Sequence, residues 1–547
     1  MRRIGKLRLR LVLAGTAALA VVAFVAATSA SPPHEPDLTS VGSANPRSAG
    51  YAPSSKFSVE LAGQVVAQGA TPVENPTSLI GFYGYENDVV SAGDPTKPQM
   101  VPTQGVATEA QKTEPDENTY LSFRDALHGA DPNYYYGKHF LYQGHEAAAS
   151  LGGVRQGLIT RINLDADPAH RVTLLATTDS SGAAINTIDG SRWDPWAQKL
   201  IFTTENANAP TYAATPDYPS TVTDISGALG RGGYEGVALD SEGNVLIVED
   251  IGGANKQGTT ARIPNSFLFR YVPESPGDLA HGKLQVLQVL NNVNHQPITQ
   301  ATQTPLHSAD QVALHVYGSS FEANWVTIHD TAVDGNAPFN ANTLAKADYG
   351  TPFKRPENGR FRPGTGFRDF YFDETGDTNA TSPENANEGG WCSVFKLSQS
   401  RPGASSAQLS IFYRCDGTRA GFDNTAFLSH DLITFVEDAG DTLHAQRNAL
   451  DSGWVLDVTQ DYSPSNQPVR WLAEGRDPSA TIDSAAGGFG KNDGDNEITG
   501  TEVSDGDPTV HGILGAKSPH LFQDKEWRFF YTEQHGDNRT YEVVPAP

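Results

Sequence analysis

Tyr234-Glu235-Gly236-Val237-Ala238-Leu239-Asp240-Ser241-Glu242-Gly243-Asn244-Val245-Leu246-Ile247-Val248-Glu249-Asp250 reads as a strand, a tight turn and a second strand, with carboxylates at both open ends. Residues 237–239 and 245–248 supply the aliphatic and β-branched runs, and Ser241-Glu242-Gly243 supplies the turn chemistry. A turn centred on Glu242 sets Glu235 opposite Glu249. Directly paired residues have Cβ atoms roughly 4.5–5.5 Å apart, and like charges that close need a cation or a shared proton between them. Asp250 adds a third carboxylate at the same end, which is how a hard-metal site is assembled.

Working outward, β-rich runs recur at 138–142, 157–163, 172–176, 199–203, 236–239, 244–248, 266–272, 284–289, 369–372, 393–397, 409–413, 432–436, 453–458, 469–472 and 527–532. Scattered Gly and Pro punctuate them and long amphipathic helical periodicity is scarce, which is an all-β pattern. Two further stretches repeat the plan of a hydrophobic strand ending in an acid: 193–206, which ends in Glu205-Asn206, and 431–438, which ends in Glu437-Asp438. Irregular repetition of this kind predicts propeller blades, with long polar inserts at 206–230, 294–310, 329–351, 373–390 and 475–495. A pair of β-sandwiches is the alternative architecture.

The first 30 residues have the make-up of a secretion signal. Arg2, Arg3, Lys6, Arg8 and Arg10 form a basic region, 11–27 is an apolar run, and Thr28-Ser29-Ala30 offers small residues for cleavage. An uncleaved anchor is the competing reading, although the run is short for a spanning helix and no later segment reaches spanning length. Residues 31–55, rich in Pro, Ser, Gly and Asn, read as a flexible tether, leaving 56–547 as the folded domain. The expected protein is secreted, monomeric and without a stable membrane anchor after cleavage. A net charge of −25 argues against a nucleic-acid partner. In an exported protein Cys392 and Cys415 most simply form one disulfide, whose loop of about 22 residues would stabilise by roughly 3 kcal/mol. Two free buried thiols are the alternative.

Acidic stations stand out along the chain: Gly144-His145-Glu146, Glu235, Glu249-Asp250, Lys354-Arg355-Pro356-Glu357, Asp495-Asn496-Glu497 and Ser504-Asp505-Gly506-Asp507. Each alone is matched by the reading of a solvated acid at a strand end. Gathered in one pocket they would bind Ca²⁺ or a similar hard cation. Arg355 is the natural anion contact, because a guanidinium presents a planar fork to phosphate oxygens; its bland reading is a surface ion pair. His145, His511, His520 and His535 have no diagnostic spacing and can equally be ordinary hydrogen-bonded histidines. The chain has no His-Glu-x-x-His, no Gly-x-Ser-x-Gly elbow and no Walker loop.

The chain resembles the PhoX-type alkaline phosphatases. The likeness rests on Gly144-His145-Glu146, on the run from Asp189 through Trp196 to Thr204-Glu205-Asn206, on Tyr234 to Asp240 leading to Glu249-Asp250, on 266–273, on Arg355-Pro356-Glu357 and on Asn496 to Gly500, in that order. It implies a six-bladed propeller with a calcium and iron cluster, hydrolysing small phosphomonoesters outside the cytoplasm. By this resemblance Glu146, Glu205, Glu235, Glu249, Asp250, Glu357 and Glu497 are expected metal ligands and Arg355 a phosphate contact. One departure stands out. The family places a Cys-Glu-Glu run near Trp196, whereas here the strand reads Ile201-Phe202-Thr203-Thr204-Glu205-Asn206. Without the thiolate, calcium is the expected cation and iron lacks a ligand. The competing functions are a non-catalytic propeller stabilised by calcium and another propeller hydrolase, a lactonase or a phytase.

Overall fold

Inner strands that are mostly polar, followed by more apolar outer strands, set the architecture. The computed structural model describes residues 37–49, 54–89, 91, 96, 98, 110–151, 154–304, 308–382, 387–462, 465–476 and 497–547. The signal-like segment 1–30 and the distal part of the 475–495 insert lie outside these residues.

The described strands form antiparallel meanders taken in chain order. Pro115–Ser122, His139–Leu151, Val154–Asn163 and Val172–Ala176 make one four-stranded sheet, and Ser191–Asp194, Lys199–Phe202, Tyr212–Ala214 and Val222–Asp224 make the next. A nine-stranded sheet contains a meander running from Tyr234–Leu239 to Gly282–Val289 and another from Gly359–Phe361 to Ser406–Arg414, bridged at their outer edges by Ser320–Asp330. Phe422–Phe427, Leu432–Glu437, Ser452–Asp457 and Val469–Ala473 follow, and then Ile498–Ser504, Arg528–Glu533 and Arg539–Pro545.

The first strand of each meander packs on the first strand of the next, and Ile498–Ser504 packs on Pro115–Ser122. The sheets therefore close into a propeller-like ring, and the sandwich alternative falls. The N-terminal region seals the ring: Lys56–Phe57 pairs with Val469–Ala473, and Leu61–Ala67 is the outermost strand against Arg539–Pro545.

Between the sheets the faces interdigitate as apolar layers. Trp471 is fully buried, with its ring 5.0 Å from that of Phe529 and 5.7 Å from that of Tyr531 on the neighbouring sheet. Cys392 and Cys415 are joined as a disulfide, with Cα atoms 5.0 Å apart.

Two boundaries differ from the sequence reading. The described part of the expected tether is docked: Val41 N donates to Arg470 O, and Asn45 Nδ2 donates to Glu474 O at 2.7 Å. Backbone groups at the edge of a sheet gave a polar segment somewhere to bond. The expected insert at 206–230 is likewise not wholly an insert, because it supplies Tyr212–Ala214 and Val222–Asp224, the outer strands of its sheet.

The hairpin quoted above forms, with Val237 opposite Ile247 and Leu239 opposite Val245. Near its open end the register slips, so that Tyr234, not Glu235, faces Glu249. This corrects the expected Glu235–Glu249 pair. The cause is a β-bulge, in which one extra residue on the inner strand lets a side chain be re-aimed. The same one-residue slip occurs in the inner strands between Pro115 and Asn118, between Phe422 and Thr425, and between Thr499 and Glu502.

Candidate metal centre

Acids at the starts of the innermost strands converge on the centre of the ring. Asp116, Glu235 and Asp423 sit inside bulges, while Asp189, Glu357 and Glu497 lie one or two residues ahead of Ser191–Asp194, Gly359–Phe361 and Ile498–Ser504. Close approach of these strands depends on glycine at one point. Thr203 Oγ1 donates to Glu235 O at 2.6 Å, and a Cβ on Gly190 would stand 2.0 Å from that same oxygen.

Three triads of carboxylates each bring ligand oxygens within 4.8 Å of one another: Asp116, Glu146 and Asp189; Asp189, Glu205 and Glu235; and Glu235, Glu357 and Asp423. They share corners, with Asp189 common to the first two and Glu235 to the last two. Some oxygens have protein donors. Gln534 Nε2 donates to Asp116 Oδ2 at 2.8 Å and to Glu146 Oε1 at 2.9 Å, Thr499 Oγ1 donates to Asp116 Oδ1, and Thr375 Oγ1 donates to Glu357 Oε1 at 2.6 Å. Others have none. Asp189 is 1% exposed, and neither of its carboxylate oxygens receives a hydrogen bond; Glu235 Oε2 is likewise buried without a donor.

Burial, reinforced by repulsion among the carboxylates themselves, pushes Asp116, Asp189, Glu235, Glu357, Asp423 and Glu497 well above the usual carboxylate range, whereas Glu205 is exposed at the edge of its triad. A buried carboxylate left without a counter-charge costs several kcal/mol or takes up a proton. The donors in the triads are all carboxylate oxygen, the chemistry of hard cations such as Ca²⁺. The cysteines are held in the disulfide, so no thiolate for iron is present.

Of the sequence-predicted ligands, Glu146, Glu205, Glu235 and Glu357 join the triads. Glu497 stands near enough to be raised by Asp438, Glu146 and Asp423. Asp250 faces the same region but is engaged by Arg355, whose Nε lies 2.9 Å from Asp250 Oδ2 and whose Nη2 lies 2.6 Å from it. Arg355 Nη2 also reaches Glu357 Oε1 at 3.1 Å.

Glu249 takes no part in the triads. It lies on the unbulged partner strand, where Oε2 accepts from Phe267 N at 3.1 Å and from Asn342 Nδ2 at 2.9 Å, and burial pushes it up to about 8. His145 is a fully buried, satisfied histidine between Thr113 Oγ1 and Thr160 Oγ1, driven down to about 3 by desolvation. His511 and His520 are exposed, and Asp505 is held by Lys517. His535 Nε2 is 3.8 Å from Glu497 Oε2.

Asp116, Asp189 and Asp423 complete the triads and are not among the sequence-predicted ligands. Asp116 and Asp423 lie on strands whose polar composition masks them.

Deeper along the same inner strands the acids give way to alternating charges. Arg192 bridges Glu117 at 2.7 Å and Glu502 at 2.9 Å, and Arg360 also reaches Glu117. All four side chains are buried.

No family model and no curated protein matches this chain. Among solved structures it is similar to the periplasmic gluconolactonase PpgL of Pseudomonas aeruginosa, at 12% identity and a TM-score of 0.31 over 88% of this chain and 99% of that one. It is also similar to a fungal alcohol oxidase of the AA5 family in complex with copper, at 9% identity and a TM-score of 0.32 over 78% and 76%. A third is Sqt1 from Chaetomium thermophilum, at 11% identity and a TM-score of 0.32 over 79% and 100%.

Proposed function

We propose that this protein is an exported, six-bladed propeller hydrolase that depends on hard divalent cations, with Ca²⁺ the first candidate. The observation that carries this reading is Asp189: a buried carboxylate with no donor on either oxygen, shared by two triads. Asp116, Glu146, Asp189, Glu205, Glu235, Glu357 and Asp423 would hold the cations. When bound, such cations polarise a carbonyl or phosphoryl oxygen and activate water. The residues themselves do three things. Gln534 and Thr499 fix the Asp116 carboxylate, and Thr375 fixes that of Glu357. The buried Glu117–Arg192–Glu502–Arg360 cluster lies further along the same inner strands and pairs its charges internally. Arg355 stands beside Glu357 as a fixed positive charge.

Phosphomonoesters are the substrate class that the resemblance implies, and triads sharing corners suit a group with several oxygens. One observation favours an uncharged ester ring, a lactone, instead: the Arg355 fork is already occupied by Asp250 and Glu357, so less of it is left for a phosphate.

Purified full-length protein, stripped and then reloaded with Ca²⁺, should hydrolyse either p-nitrophenyl phosphate or glucono-δ-lactone, and chelation should abolish turnover. Phosphate release assigns the first class and lactone opening the second. Cation uptake with neither activity would reject the hydrolase and leave a cation-stabilised propeller.

A further inference from the structure

The charge balance at one side of the acid cluster rests on a side chain. Arg355 Nε and Nη2 grip Asp250, at 2.9 and 2.6 Å, and Nη2 bridges on to Glu357 at 3.1 Å. Its backbone is held at φ +55°, a conformation uncommon outside glycine, and its carbonyl accepts from Thr375 N at 2.8 Å. The preceding Lys354 points elsewhere, into a buried pair with Asp377. Thr375 therefore holds both ends of this corner: its N–H fixes the Arg355 backbone and its hydroxyl fixes Glu357. The guanidinium is thus seated between two carboxylates at the ends of separate strands, as a bridging cation would be.

Glu357 also belongs to the third triad, with Glu235 and Asp423. In that triad Glu235 Oε2 is buried without a donor. The group therefore offers carboxylate oxygens to a cation on one side while Arg355 neutralises Glu357 and Asp250 on the other.

We propose that Arg355 is a resident cation of the centre: its guanidinium occupies a position that a divalent ion would otherwise fill, so that Asp250 and Glu357 form a latent cation site masked by this side chain. The proposal rests on the reading of the triads as cation sites and adds a limit to it. Asp250 is then the partner of Arg355 and not a ligand in the native protein, and the ring holds one divalent ion fewer than its acids could accept. A guanidinium cannot be deprotonated at ordinary pH, so the mask is permanent.

The test is stoichiometric and needs no activity. Full-length wild type, Arg355→Gln, Arg355→Lys and Asp250→Asn are dialysed against Ca²⁺, and bound metal per chain is measured by elemental analysis and native mass spectrometry. Arg355→Gln should bind one more Ca²⁺ than wild type, Arg355→Lys should not, and adding Asp250→Asn to Arg355→Gln should remove the extra ion. An unchanged or lower count in folded Arg355→Gln overturns the proposal. Should that variant fail to fold, Asp250→Asn decides: wild-type stoichiometry supports the proposal, and the loss of an ion overturns it. Failure of wild type to bind any Ca²⁺ would refute the cation reading separately, whether or not the variant gains a site.

Discussion

Asp189 and Glu235 arrive on different sheets, yet their carboxylate oxygens lie within 4.8 Å of each other. Because Asp189 also belongs to the triad with Asp116 and Glu146, it is the carboxylate that two of the triads share. Asp189→Asn keeps the size of the side chain and removes its charge. Calorimetric titration should show Ca²⁺ affinity at least tenfold weaker, about 1.4 kcal/mol or more. Unchanged affinity in a folded variant would remove Asp189 from the centre.

The raised carboxyls make the cation-free fold sensitive to alkali. Their folded values exceed those of the unfolded chain, so their stabilising contribution is complete below the ordinary carboxylate range and is lost as pH rises through the raised values. Glu249, at about 8, extends the window to mild alkali. Melting temperature in EDTA should therefore fall steadily from roughly pH 5 to pH 8. Saturating Ca²⁺ should flatten that slope, since it replaces protons. A level profile in chelator would contradict the cluster's electrostatics.

Arg192 sits between Glu117 and Glu502 with all three side chains buried. Removing one member of a buried ion pair leaves an uncompensated charge, which costs about 3–5 kcal/mol. Arg192→Met should lower urea stability by that order. A loss below about 1 kcal/mol would mean that water already reaches the cluster.

Cys392 and Cys415 are separated by 23 positions. In the chain-entropy model a loop of that size stabilises by roughly 3 kcal/mol. The double substitution Cys392→Ala and Cys415→Ala should reduce unfolding free energy by about this amount and leave Ca²⁺ stoichiometry unchanged. Altered stoichiometry would tie the bridge to the acid cluster.

The outer strands were legible because they are short, largely buried runs rich in aliphatic and aromatic residues. Runs such as 172–176 and 469–472 fall on Val172–Ala176 and Val469–Ala473. Most inner strands were not legible. Their sequences, among them Pro115-Asp116-Glu117-Asn118-Thr119 and Phe422-Asp423-Asn424-Thr425, carry polar and small residues because they turn towards one another at the ring's centre. Only Tyr234–Leu239 is apolar enough to read as a strand, which is why its acids drew attention first. The bulges broke the remaining signal, since simple alternation places Glu235 against Glu249 and the slip does not. The rule that would have found Asp116 and Asp423 is positional: an acid within two residues of the start of each inner strand.

Leu61–Ala67 lies bonded along Arg539–Pro545, so one sheet is built from both extremes of the described chain. A nascent polypeptide emerging from the ribosome therefore carries Leu61–Ala67 as an unmatched edge through the synthesis of more than four hundred intervening residues. Maturation of that sheet cannot finish before Arg539–Pro545 has been made.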